Sequence, residues 1–121
     1  MKALWKPVSM QGRLQIQVPT SSGLYAILRV PRVHGLPVEW EIAYVGKTLN
    51  LRRRFREHAT PWRERSPTVR ASAIYRDPNL EFWYRELNSD LLDRGERELI
   101  RRIQPTLNMI RYGAENGTEK K

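Results

Sequence analysis

From Gly23 to Val30 the side chains alternate, with Leu24, Ala26, Leu28 and Val30 facing one way and Tyr25, Ile27 and Arg29 the other. That is the period of a strand with one buried face. Pro31 to Val38 carries two prolines and Gly35, which suits a loop, and from Glu39 to Val45 the alternation resumes with Trp40, Ile42 and Tyr44 on one side. Two neighbouring runs of this kind predict an antiparallel hairpin. Leu80 to Leu87 reads as a further strand, and Arg13 to Val18, with Leu14, Ile16 and Val18 sharing a face, as a short N-terminal one ended by a turn at Pro19 to Ser22.

Two helices are expected. Gly46 permits a sharp exit from the hairpin, Thr48 or Asn50 can cap, and Leu51 to His58 is made of good helix formers with Leu51 and Phe55 on the buried side. Asn88-Ser89-Asp90 supplies N-cap chemistry for a second helix reaching about Ile103, where Pro105 stops it. Between Ala59 and Asn79, Pro61, Pro67 and Pro78 alternate with Arg63, Arg65, Arg70 and Arg76, so the segment reads as a long basic loop. Such a loop in a small domain is as often functional as merely solvated. Gly113 to Lys121 is polar enough for a frayed tail.

With 22 lysines and arginines against 13 acidic residues, the net charge is +9. A polyanionic partner is favoured through counterion release and long-range steering. Seventeen of the 22 are arginines, whose planar fork grips phosphate oxygens in pairs. The absence of cysteine excludes disulfides, thiolate zinc sites and cysteine nucleophiles. No apolar run approaches the roughly 18 residues that cross a bilayer, and the opening MKALWKPVSM breaks at Pro7. The expectation is a soluble cytoplasmic protein without a membrane partner.

On the second helix Leu92, Gly95, Leu99 and Ile103 form an inward stripe; Glu96 falls inside it, whereas Glu98 points outward with Arg94 and Arg101. An inward carboxylate must be paired, hydrogen-bonded or bound to a cation, and periodicity leaves a structural ion pair and a metal ligand open. On the first helix Arg54 and His58 share one face and Arg52 and Arg56 another, a surface suited to phosphate or simply to solvent. Taken singly, Tyr25 and Tyr44 read more readily as packing residues.

Their combination says more. Gly23-Leu24-Tyr25, followed by Tyr44-Val45-Gly46-Lys47-Thr48-Leu49-Asn50-Leu51-Arg52-Arg53-Arg54, resembles the GIY-YIG nuclease signature in order and spacing. Downstream, Glu96, Leu99-Ile100-Arg101 and Gln104-Pro105-Thr106-Leu107-Asn108 are similar to the pattern of the nuclease domain in bacterial excision-repair endonucleases. Leu24 and Val45 stand where the family's motifs name isoleucine. The resemblance covers about Gly23 to Asn108, and ordered matches in both halves are far more specific than either tripeptide alone.

The resemblance implies an α/β (α+β) chain with a small three-stranded antiparallel sheet flanked by helices, to which the N-terminal run would add an extra strand. The chain then divides into an N-terminal extension (1–22), a nuclease domain (23–112) and a flexible tail (113–121). Tyr25, Tyr44, Lys47, Arg54, His58, Glu96 and Asn108 would converge on one surface. Glu96 would hold a single Mg²⁺ or Mn²⁺, completed by water and phosphate. Tyr25, aided by Lys47, would deprotonate the attacking water, with His58 as the competing base, while Arg54 neutralises the phosphate. Arg52, Arg53, Arg56, Arg63, Arg65 and Arg70 would grip DNA. Recognition is left to loops, a homodimer or an accessory protein. The runner-up is a non-catalytic nucleic-acid-binding module that retains the fold, against which the presence of every expected side chain argues.

Overall fold

The structure, a computed structural model of the chain, describes residues 4–59, 78–105, 107 and 108. In chain order they form β1 (Lys6–Ser9), a 3₁₀ helix (Gly12–Gln17), β2 (Gly23–Arg29), β3 (Arg32–Val33), β4 (Leu36–Pro37), β5 (Glu41–Thr48), α1 (Leu51–Ala59), β6 (Leu80–Glu86), a 3₁₀ turn (Ser89–Leu91) and α2 (Leu92–Ile103). The main sheet is antiparallel with order β1-β6-β2-β5, so the three expected strands are its core and an N-terminal strand extends it. Among the described residues no helix is long and apolar enough to cross a membrane.

The extra strand is not the one periodicity chose. Arg13 to Val18 is mostly 3₁₀ helix, which turns every three residues, so Leu14, Ile16 and Val18 do not share a face. Val18 is fully buried while Ile16 is 73% exposed. The strand lies earlier, at Lys6–Ser9, where Pro7 is tolerated because β1 pairs with β6 alone and stands at the sheet edge.

A second correction concerns the hairpin. The β2–β5 register shifts between Ile27, opposite Tyr44, and Leu28, opposite Ile42, so Ala43 is an extra residue on β5. A bulge re-aims every side chain beyond it. Ile42 therefore packs with Ala26, Val45 and Ile100, whereas Tyr44 joins Tyr25, Leu51, Phe55 and Phe82. Strict alternation puts Ile42 and Tyr44 on one side; the bulge separates them. The loop expected at Pro31 to Val38 contains its own two-stranded ribbon, turning through His34 (φ 51°) and Gly35 (φ 85°), the pair of left-handed residues that tight hairpins favour. Arg32 clamps it to β6 through Glu81 at 2.6 and 3.1 Å.

The two clusters define the layers. One is closed by α1, whose Leu51 and Phe55 are fully buried against Val18, Tyr25 and Phe82; the other by α2, through Leu99, Ile100 and Ile103. Asn50 caps α1 as expected, its Oδ1 accepting from the Arg53 N–H at 3.0 Å. Gly23 brings β2 against β6 and α1 together, since a Cβ there would run into the Arg85 carbonyl and Leu51 Cδ1. Phe82 is the hub, edge-on to Phe55 at 5.2 Å and stacked on Tyr25 at 5.1 Å. Phe82→Ala is expected to lower unfolding free energy by about 3–5 kcal/mol, measured as a shifted urea midpoint at unchanged slope.

Candidate active site

Tyr25 lies in β2 with its ring on the α1 layer, and its hydroxyl is where two helix residues meet. Arg54 Nε donates to it at 2.9 Å, and His58 Nε2 lies 2.9 Å from it. The three come together because Arg54 and His58 are one helical turn apart on α1. Opposite Tyr25 in the ladder is Gly46, and a Cβ there would fall within 2.8 Å of Tyr25 Cε2 and closer still to its hydroxyl. The glycine of the second motif thus makes room for the tyrosine of the first. Tyr44 completes the group, its ring 6.1 Å from Tyr25 and 5.4 Å from His58. Tyr25 is 1% exposed and His58 fully buried, whereas Tyr44 is partly exposed.

Arg54 is held from a second side, because Nη1 donates to Glu57 Oε1 at 2.7 Å with both side chains largely buried. An arginine fixed by two partners presents its charge in one orientation. Glu57 escaped the sequence reading, although its i,i+3 spacing from Arg54 is a usable signal.

A second group forms where β5 meets α2. Lys47 Nζ donates to Asp93 Oδ1 at 2.8 Å and lies 3.7 Å from Glu96 Oε1. Arg97 Nε donates to Asp93 Oδ2 at 3.1 Å. These hydrogen bonds, that from Lys47 foremost, hold the Asp93 carboxyl below its ordinary range. Burial pushes Glu96 above its own, partly offset by Lys47. Glu96 faces inward, as the helical stripe requires, and Glu98 faces out and pairs with Arg102 at 3.1 Å. Asp93 is a second residue that sequence reasoning missed; nothing along the chain shows that α2 will lay its first turn on Lys47.

Asn108 joins the same strand from outside. Its side-chain amide accepts from Val45 N–H at 2.9 Å and donates to Val45 carbonyl at 2.8 Å, while Leu107 N–H donates to Ala43 carbonyl at 2.9 Å. The chain gets there because Gln104 leaves α2 in a left-handed conformation (φ 53°) and Pro105, buried, prevents further helix. The seven expected residues therefore gather as two groups and a clamp: Tyr25, Tyr44, Arg54 and His58 on the α1 layer, Lys47 and Glu96 beneath α2, and Asn108 on β5. β5 links the two groups, with Gly46 facing Tyr25 and Lys47, the next residue, reaching α2.

Of the six arginines read as a DNA grip, Arg63, Arg65 and Arg70 lie outside the described residues. Arg53 is exposed on α1. Arg52 donates to the Val18 and Ile16 carbonyls at 2.7 and 3.4 Å, and Arg56 to Gln15 Oε1 at 3.3 Å, so both also fasten the 3₁₀ helix to α1.

Among the described residues no cluster of three or more histidines and carboxylates could enclose a metal ion. The donor set does fit a small hard cation that brings its own water and phosphate: Glu96 is an oxygen donor whose buried charge is only partly met by an ammonium 3.7 Å away.

No family model and no curated protein matches the chain. Solved structures do. Two tyrosine-to-phenylalanine variants of the GIY-YIG N-terminal endonuclease domain of UvrC from Thermotoga maritima, both bound to the catalytic divalent cation, superpose with TM-score 0.54 at 18% and 20% identity. An asparagine-to-alanine variant of that domain gives 0.53 at 18% identity. Each alignment covers 80% of this chain and 92% of the domain. The chain has the GIY-YIG fold.

Proposed function

We propose that this chain, built on the GIY-YIG fold, is a divalent-metal-dependent endodeoxyribonuclease that hydrolyses phosphodiester bonds in DNA. The observation that carries the reading is the buried Tyr25 hydroxyl between Arg54 Nε and His58 Nε2, at 2.9 Å from each and beside Tyr44. An apolar core gains nothing from burying an arginine, a histidine and a tyrosine head to head, since their desolvation is costly. The net charge of +9 supplies the attraction to a phosphate backbone.

Exposure divides the work between the tyrosines. Tyr44, partly exposed, is the hydroxyl that a water nucleophile reaches; Tyr25, at 1%, is the one that holds the framework. This revises the assignment made from sequence, which gave Tyr25 the water. Arginine Nε always donates, so the Tyr25 oxygen accepts from Arg54 and its own proton is left for His58 Nε2 when that nitrogen is unprotonated. His58, fully buried, meets the Tyr25 hydroxyl and not the water, so it fixes the orientation of that hydroxyl. Arg54, oriented by Tyr25 and Glu57, balances charge growing on the phosphate. Asn108 keeps β5 and hence Tyr44 in register.

Glu96 would hold the ion, Mg²⁺ or Mn²⁺, which when bound acts as a Lewis acid toward phosphate oxygens. Lys47 keeps a second positive charge beside that carboxylate. Specificity would come from the basic arginines and from a second copy or an accessory protein; Val33 and Leu36 on the β3–β4 ribbon and Trp40, between the ribbon and β5, are exposed and offer apolar surface for either.

The test is nicking of supercoiled plasmid by the full chain with Mg²⁺ or Mn²⁺, abolished by chelator. No cleavage under any metal, with the fold intact, leaves the non-catalytic module as the answer. Tyr44→Phe is expected to cut the rate by about 10²–10⁴-fold with little change in melting temperature. Tyr25→Phe should lower activity and also cost about 1–3 kcal/mol of stability, because Arg54 and His58 lose a buried partner. The opposite pattern would return the water to Tyr25.

A further inference from the structure

We infer that Asp93 is a positioning residue that sets the cation affinity of Glu96 by holding Lys47 off it. The inference rests on the reading above, in which Glu96 holds a divalent ion. Its ground is the unequal sharing of one ammonium between two carboxylates. Lys47 Nζ is at hydrogen-bond distance from Asp93, 2.8 Å, and only at 3.7 Å from Glu96.

Charge alone would favour the reverse. The Glu96 side chain is 17% exposed and that of Asp93 63%, so the attraction for an ammonium is stronger at Glu96, where water screens less. The geometry of α2 overrides this preference. Asp93 and Glu96, three residues apart, are neighbours on the helix face above Lys47. Asp93 is anchored at its other oxygen by Arg97, one turn further on, at 3.1 Å. The run Arg97–Asp93–Lys47 is thus a chain of two charge-assisted hydrogen bonds that ends just short of Glu96.

The consequence is competition. An ammonium bonded directly to Glu96 would occupy one of its oxygens and repel an incoming divalent ion; moored to Asp93, the same ammonium stays close without blocking. Asp93→Asn removes the carboxylate that moors the ammonium, and among the described residues Glu96 is then the carboxylate nearest to it, so the ammonium moves onto Glu96. The cation must then displace it. Asp93 touches no substrate in this scheme and acts through Lys47, as outer partners of metal ligands do.

The experiment is a double-mutant cycle on cation binding by the full chain, with free Mn²⁺ measured by its electron paramagnetic resonance signal and no nucleic acid present. Asp93→Asn is expected to weaken Mn²⁺ binding by about tenfold. In a Lys47→Gln background the same substitution should change it by less than about twofold. Asp93→Ser, measured in both backgrounds, guards against an effect peculiar to asparagine, and melting temperatures check the fold. Equal losses in both backgrounds would mean that Asp93 binds the ion itself or acts by its charge alone, and overturn the inference. So would no loss in the native background. Glu96→Gln separates the two levels: if it binds Mn²⁺ as tightly as the native chain, the assignment of the ion to Glu96 fails and takes this inference with it.

Discussion

Glu96→Gln is expected to abolish metal-dependent nicking, by at least about a hundredfold, while leaving the protein as stable as before or more so. The two halves of that result have different causes. Glutamine keeps the shape and an acceptor oxygen but presents no charge to a cation. Its effect on stability follows from the environment of the carboxyl. Burial raises the folded-state pKa of Glu96, so ionisation costs stability as pH rises from the unfolded value through the folded one. At neutral pH the native chain bears that cost and the glutamine variant does not. Lys47 is not stranded, because its 2.8 Å bond to Asp93 remains. Plasmid nicking and melting temperature measured on the same preparation decide it. A variant that still nicks in a chelator-sensitive way removes Glu96 from the chemistry. One that loses ten degrees or more makes it a structural residue instead.

That carboxylate was legible before any fold was known, because the helical period of α2 puts Glu96 inward and Glu98 outward whatever α2 packs on. Strands β2, β5 and β6 and helix α1 were legible for the same reason, each having a clear period or cap. The failures have physical causes. β1 buries only Val8 of its four residues, so it leaves almost no pattern. The period-2 run at Leu14, Ile16 and Val18 was a coincidence that hydrogen bonds from Arg52, 34 and 36 residues away, turn into 3₁₀ helix. The Ala43 bulge adds a residue without any glycine to mark it, and so reverses which side of Tyr44 Ile42 lies on. In the site, Tyr25, Arg54 and His58 were expected as separate contributors, and their shared hydroxyl depends on how α1 docks. Asp93 needed the 46-residue contact between α2 and β5. What periodicity can state is which face a residue takes; which residue it meets there is a tertiary fact.

Gly46→Ala is expected to be among the most damaging methyl additions at the described glycines, alongside Gly23→Ala, whose added carbon would press on the Arg85 carbonyl just as closely. Gly46 and Tyr25 are directly opposed across β2 and β5, and the added carbon would overlap the Tyr25 hydroxyl and its ring edge. Relief would require the ring to move, and it is confined on every side: stacked on Phe82 at 5.1 Å, tied at its hydroxyl to Arg54 and His58, and 1% exposed. Overpacking in such a place costs about 1–3 kcal/mol or more, a fall of several degrees in melting temperature. Because displacement of the hydroxyl also breaks its contacts with Arg54 and His58, cleavage should fall by about a hundredfold or more. A second substitution identifies the cause. The atom nearest the new methyl is the hydroxyl itself, so adding Tyr25→Phe removes part of the overlap, and the double variant should lose less stability than the sum of the two single losses. Activity should not return with it, since Arg54 Nε and His58 Nε2 then lose the hydroxyl they share. Strict additivity in stability would place the damage of Gly46→Ala in the backbone of β5, and the fit of glycine to tyrosine would no longer explain why the two motifs face each other.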